Sequence, residues 1–141
     1  MTTKQVQLVQ ESWQKVLPIA KEAGQLFYGR LFEIAPEVRG MFKADISDQS
    51  KKLMGILAVV ISKLDKLDTI IGEVRKLGAR HNKYRVQPEH YQPVAEALLW
   101  TLEQGLGETW NKELKEAWTT AYMTLAGAMI EAQKEEMEVV V

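Results

Sequence analysis

Apolar residues in this chain return every third or fourth position, and that interval limits what the chain can fold into more than any other feature. It matches the 3.6-residue turn of an α-helix and not the strict alternation of a half-buried strand. Val6, Val9, Trp13 and Val16 form a first stripe, which Pro18 interrupts with a corner or kink. Ala20, Gly24, Phe27, Leu31 and Ala35 form a second, after which Pro36 suits the first turn of a short helix reaching Phe42. Leu53, Ile56, Leu57, Val60 and Leu64 make a third stripe, and Ile70, Val74, Leu77 and Gly78 a fourth. Val94, Leu98, Leu102 and Leu106 make a fifth, entered at Pro88 and closed by Gly105 and Gly107. Leu114, Trp118, Ala121, Leu125 and Ala128 make the last. The expectation is an all-α domain of six to seven helices over residues 1–141 around one core. The longest irregular piece is expected at 43–49, and the tail 134–141 is expected to fray.

A length of 141 residues suffices for one domain with a sizeable core. The net charge of -1 gives no basic excess for nucleic acid or an anionic membrane. With no cysteine there is neither a disulfide framework nor a thiolate metal site. The first residues, MTTKQVQLVQESW, lack the apolar core of a signal peptide, and no apolar run approaches membrane-spanning length. A water-soluble, cytoplasmic protein is expected. Phosphate loops, H-E-x-x-H and nucleophile elbows are absent from the sequence.

Three polar residues fall where the helical pattern calls for hydrocarbon. His81 follows Leu77 by four and Val74 by seven, on the inward face of its helix. Tyr28 lies beside Gly24, Phe27 and Leu31, and Gln49 precedes Leu53 by four. Buried polar groups need partners. An imidazole, a phenol and an amide from three helices therefore outline a candidate site. Each also has an ordinary explanation: a satisfied core histidine, a buried tyrosine bonded to a carbonyl, a glutamine facing water at a helix start. Periodicity alone does not name a cofactor.

The wording of the chain goes further. FYGRLFEIAPEVRGMF carries Tyr28 and, fourteen residues on, Phe42; DQSKKLM carries Gln49 and Leu53; LGARHNKYRVQPEHY carries His81 and, ten residues later, Tyr91; EAWTTAY follows near the end. In this order and spacing the chain resembles single-domain bacterial haemoglobins and the globin domain of flavohaemoglobins, and more distantly neuroglobins, from about Gln10 to Ile130. The resemblance implies a globin fold around one haem b, with His81 as iron ligand and Tyr28 and Gln49 as distal hydrogen-bond donors to a bound gas. It implies Phe42 as the residue wedged on the haem, Leu53 and Val86 as apolar haem contacts, and Tyr91 behind the proximal histidine. Lys52 and Arg85 become candidate propionate partners, with plain surface charge as the alternative, and His90 a half-exposed residue near Tyr91.

There are departures. Flavohaemoglobins place a glutamate on the last helix beside the tyrosine, and here that position is Gln133; Glu131 is about 200° round the helix and should not substitute. Glutamine there weakens the case for a peroxidase-like electron push. Neuroglobins have a histidine where Gln49 stands, so bis-histidine ligation is not expected. The implied function is reversible binding of dioxygen, with nitric oxide and carbon monoxide as further ligands. Nitric oxide dioxygenation with a separate reductase is the alternative, and gas or redox sensing ranks third.

Overall fold

The computed structural model describes residues 1–42, 45–81 and 88–140. Six α-helices joined by short 3₁₀ turns make up its regular structure among those residues, as the period predicts. Helix α1, Thr3–Val16, opens on a capping box in which the Thr2 hydroxyl accepts from the Gln5 amide and the Gln5 side chain accepts from the Thr2 amide. It stops at a 3₁₀ turn, Leu17–Ile19, that contains Pro18. Helix α2, Ala20–Ile34, is followed by the 3₁₀ segment Pro36–Met41. Helix α3, Ile46–Ser62, starts where the Asp45 carboxylate accepts from the Ser47 amide at 2.7 Å. Then come α4, Ile71–Arg80, and α5, Tyr91–Leu106. Gly107 ends α5 at φ 54°, where a side chain would be strained. Helix α6 runs Lys112–Val140.

Helix α6 packs on α4, α1 and α5, while α2 crosses α5 and α3. All four residues of the first stripe are buried, as are Phe27, Leu31, Leu98, Leu102, Leu106, Leu114, Trp118 and Ala121. Trp118 and Trp13 meet at 6.3 Å between ring centroids. The Trp118 indole donates to the Ser12 hydroxyl at 2.9 Å, and that hydroxyl donates to the Leu8 carbonyl at 2.7 Å. The Trp118 indole and the Ser12 hydroxyl are thus both satisfied, whereas the buried Trp13 indole N–H makes no hydrogen bond among the described residues.

Two expectations are adjusted. Ile56 is 39% exposed, whereas Ile61 is buried at 4%. The face of α3 toward α1 and α2 is centred on Ser50, Leu57, Val60 and Ile61, which leaves Ile56 on its shoulder. The irregular piece expected over 43–49 gives way to helix at Ile46, because the Asp45 cap nucleates it. Helix α6 continues to Val140. No helix among the described residues is long and apolar enough to cross a membrane.

Candidate functional site

His81 caps the C-terminus of α4, half-buried, with αR backbone. Its Nδ1 lies 2.6 Å from the Leu77 carbonyl oxygen. A carbonyl only accepts, so Nδ1 carries the proton and the neutral ring's lone pair belongs to Nε2. Burial pushes the imidazole pKa below its ordinary value; the Leu77 bond opposes this and nearby Arg80 adds to it. The ring is thereby kept neutral, as a metal-ligating imidazole must be.

Tyr91, at the start of α5, stacks on His81 with ring centroids 6.5 Å apart and planes inclined by 28°. Its hydroxyl donates to Gln133 Oε1 at 2.6 Å. Gln133 is buried on α6, at the position where the sequence predicts support for the histidine. Tyr122 closes the cluster by donating to the Tyr91 carbonyl at 2.7 Å. Burial raises Tyr91 to about 12, and burial with Tyr91 nearby raises Tyr122 further, so both phenols stay neutral donors. Glu131 faces outward and pairs with Arg75 at 3.8 Å, as its angle on the helix predicts.

On α2, Tyr28 is 3% exposed and meets Phe27 edge-on at 4.9 Å and Phe42 edge-on at 5.4 Å. Phe32 completes the wall, 5.6 Å from Phe42 and capped by the Arg39 guanidinium at 5.1 Å. Gln49, in the first turn of α3, lies beside the phenol. Burial pushes Tyr28 up to about 12, and the neighbouring Gln49 side chain works in the lowering sense. The α2–α3 crossing makes the pair possible: a Cβ at Gly24 would stand 1.7 Å from Ser50 Oγ and 3.1 Å from Ser50 Cβ. Leu53 packs half-buried against the core one turn beyond Gln49, and Lys52 is exposed on the same helix. His90 is half-buried at the end of the 3₁₀ turn Pro88–His90. Arg85 and Val86 lie outside the described residues.

Sequence reasoning brought forward Tyr28, Gln49, Phe42, His81, Tyr91 and Gln133, and the structure joins them in two clusters. It passed over Phe32, Tyr122 and Ser50. It also read Gly24 and Gly78 only as members of apolar stripes. A glycine in an inward stripe is the available signal for such close crossings.

An all-α fold that buries one neutral imidazole with a set tautomer, an aromatic wall and a phenol–amide pair has the donor set of a helical haem-pocket protein. The Globin family model matches residues 25–129. The chain belongs to the globin family. Globins hold haem and bind diatomic gases, and membership brings both properties to this chain as a class. Its relatives include the anaerobic nitrite reductase HBII of Casuarina glauca, 33% identical over 91% of this chain and 89% of that protein. The flavohemoprotein of Vibrio cholerae is 32% identical over 83% of this chain, which spans 32% of that longer protein. Among solved structures, a provisionally named nitric oxide dioxygenase from Rhodothermus marinus, engineered as a carbene transferase, superposes with TM-score 0.90 at 25% identity, covering 99% of this chain and 98% of that one. A bacterial globin from Campylobacter jejuni gives 0.83 at 22% identity, covering 97% and 99%, and shows likeness of fold.

Proposed function

We propose that this chain holds haem b through His81 Nε2 and reversibly binds dioxygen, with Tyr28 and Gln49 donating hydrogen bonds to the gas. Bound haem supplies an iron with a position open to a diatomic ligand. The observation that carries the reading is the half-buried His81 ring, whose Nδ1 is held by the Leu77 carbonyl, together with the buried Tyr28 phenol in its aromatic wall and Gln49 beside it. Tyr28, neutral until about pH 12, stays a donor under ordinary conditions. One such bond of ~1 kcal/mol raises affinity roughly fivefold, and one of ~2 kcal/mol to a negatively polarised acceptor nearer thirtyfold. Two donors therefore favour tight capture and slow release over bulk transport. Phe42 and Leu53 supply apolar haem contacts in this reading, joined by Val86. Tyr91 and Gln133 back the histidine, and Lys52 and Arg85 reach the propionates. Carbon monoxide and nitric oxide are further ligands.

The test is an absorption spectrum of the purified protein, ferric, dithionite-reduced and carbonylated, beside His81→Ala. The wild type should show a Soret band that moves with each treatment, and the variant should lose stable haem. A normal Soret band in His81→Ala would remove this ligand.

A second reading has its own support. The name of the Rhodothermus marinus protein favours nitric oxide dioxygenation, and the plant relatives' names add nitrite as a nitrogen-oxide ligand. Nitric oxide and dioxygen combine to nitrate with one electron taken from the iron, so turnover requires a reductant to return it.

A further inference from the structure

The inner seam between α4 and α6 has a bare point. A Cβ built on Gly78 would lie 2.5 Å from Met129 Cα, 2.5 Å from the Met129 carbonyl oxygen and 2.8 Å from Met129 Cβ. Two of these three atoms are backbone of a long helix, which cannot swing aside as a side-chain tip can. Nonbonded carbons prefer to stand about 3.5–4.0 Å apart. Backbone therefore rests on backbone here, and only glycine allows it.

Gly78 lies three residues before His81, on the same side of the helix and roughly 4.5 Å along its axis. The Leu77 carbonyl that orients the imidazole belongs to the same turn. Whatever fixes the position of this turn fixes the position of the ring. The other link between ring and α6 passes through Tyr91 to Gln133, one helical turn beyond Met129. Along the rim, Arg75 pairs with Glu131 and Glu135. These pairs are exposed and worth little each, so they cannot set the height of α4 over α6.

We infer that Gly78 is a positioning residue for His81: its contact with the Met129 backbone is the seat that sets how far the ligating imidazole stands from α6. The inference rests on the reading of His81 as the iron ligand. Gly72 provides the matched control, because it is in the same helix and a Cβ there meets nothing within 4 Å.

The experiment uses the haem-loaded full chain as wild type, Gly72→Ala, Gly78→Ala and Met129→Ile. One readout is the iron–histidine stretching band, taken by resonance Raman on the photoproduct of the carbonyl complex. The other is the rate of haem transfer to an excess of a haem-accepting apoprotein. Gly72→Ala should match the wild type in both. Gly78→Ala should shift the band and release haem about tenfold faster, because an overpacked seam lifts the imidazole. Should Gly78→Ala fail to fold, Met129→Ile presses on the same seam from α6 and should move both readouts in the same direction. A folded Gly78→Ala with wild-type band and wild-type haem release overturns the seat alone; so does an unmoved Met129→Ile. A wild type without the band, or a His81→Ala variant that keeps it, overturns the ligand reading and the seat together.

Discussion

Tyr28 places a hydroxyl inside a wall of three phenylalanines, an expensive location unless the hydroxyl has work to do. Gln49 stands beside it at the start of α3. Tyr28→Phe keeps the ring and removes the whole hydroxyl. Dioxygen should then dissociate roughly tenfold faster or more, read by stopped-flow displacement with carbon monoxide. An unchanged rate would mean that the phenol points away from the gas. The acid–base behaviour has a sign to check. An ordinary tyrosine is half-ionised at pH 10.0, whereas this one is held neutral to about 12. The wild-type off-rate should therefore stay flat through pH 10 and change only near the upper value. Much of this chemistry was legible in the sequence, because Tyr28, Gln49 and His81 were polar residues standing in apolar stripes. Their partners were not: Phe32 and Tyr122 look like any core aromatic until the elements that carry them meet.

Helices α1, α2 and α5 follow from local pattern, since each stripe is bounded by a capping residue, a proline or a glycine that punctuates it. Helix α3 was harder to read. Its stripe was drawn too wide at Ile56, and its start too late, although Asp45 ahead of Ser47 carried the cap signal. Interhelical distance is harder still, because it depends on a pair of residues and neither reports it alone. Gly24 and Ser50 are such a pair. Alanine in place of helical glycine ordinarily adds up to about 1 kcal/mol of stability. At Gly24 the added methyl meets Ser50 Oγ at 1.7 Å, so Gly24→Ala should instead destabilise by about 1–3 kcal/mol in urea unfolding. Gly24→Ala with Ser50→Ala removes that oxygen and should recover most of the loss, leaving the 3.1 Å approach of the Ser50 Cβ. Equal stability of the single and double variants would mean that the crossing relaxes freely.

For the molecule as a whole, the choice between storing a gas and consuming it is decided by electrons. Nitric oxide added to the oxygenated protein should be consumed once and then stall with ferric iron; continued consumption on adding a reductase and its nicotinamide donor would favour the catalytic reading. No rate beyond the first equivalent, with any reducing partner, would leave binding as the function. The fold was legible as a class, and its family through spaced motifs, but how the first and last helices lock together was not. Ser12 and Trp118 bond across 106 residues of sequence. On the ribosome, then, α1 emerges early with its Ser12 hydroxyl face uncovered, and meets its main partner, α6, only when the far end of the chain arrives. The protein completes its interior in one late event, and an interrupted translation product would expose the α1 surface that quality-control proteases and chaperones recognise.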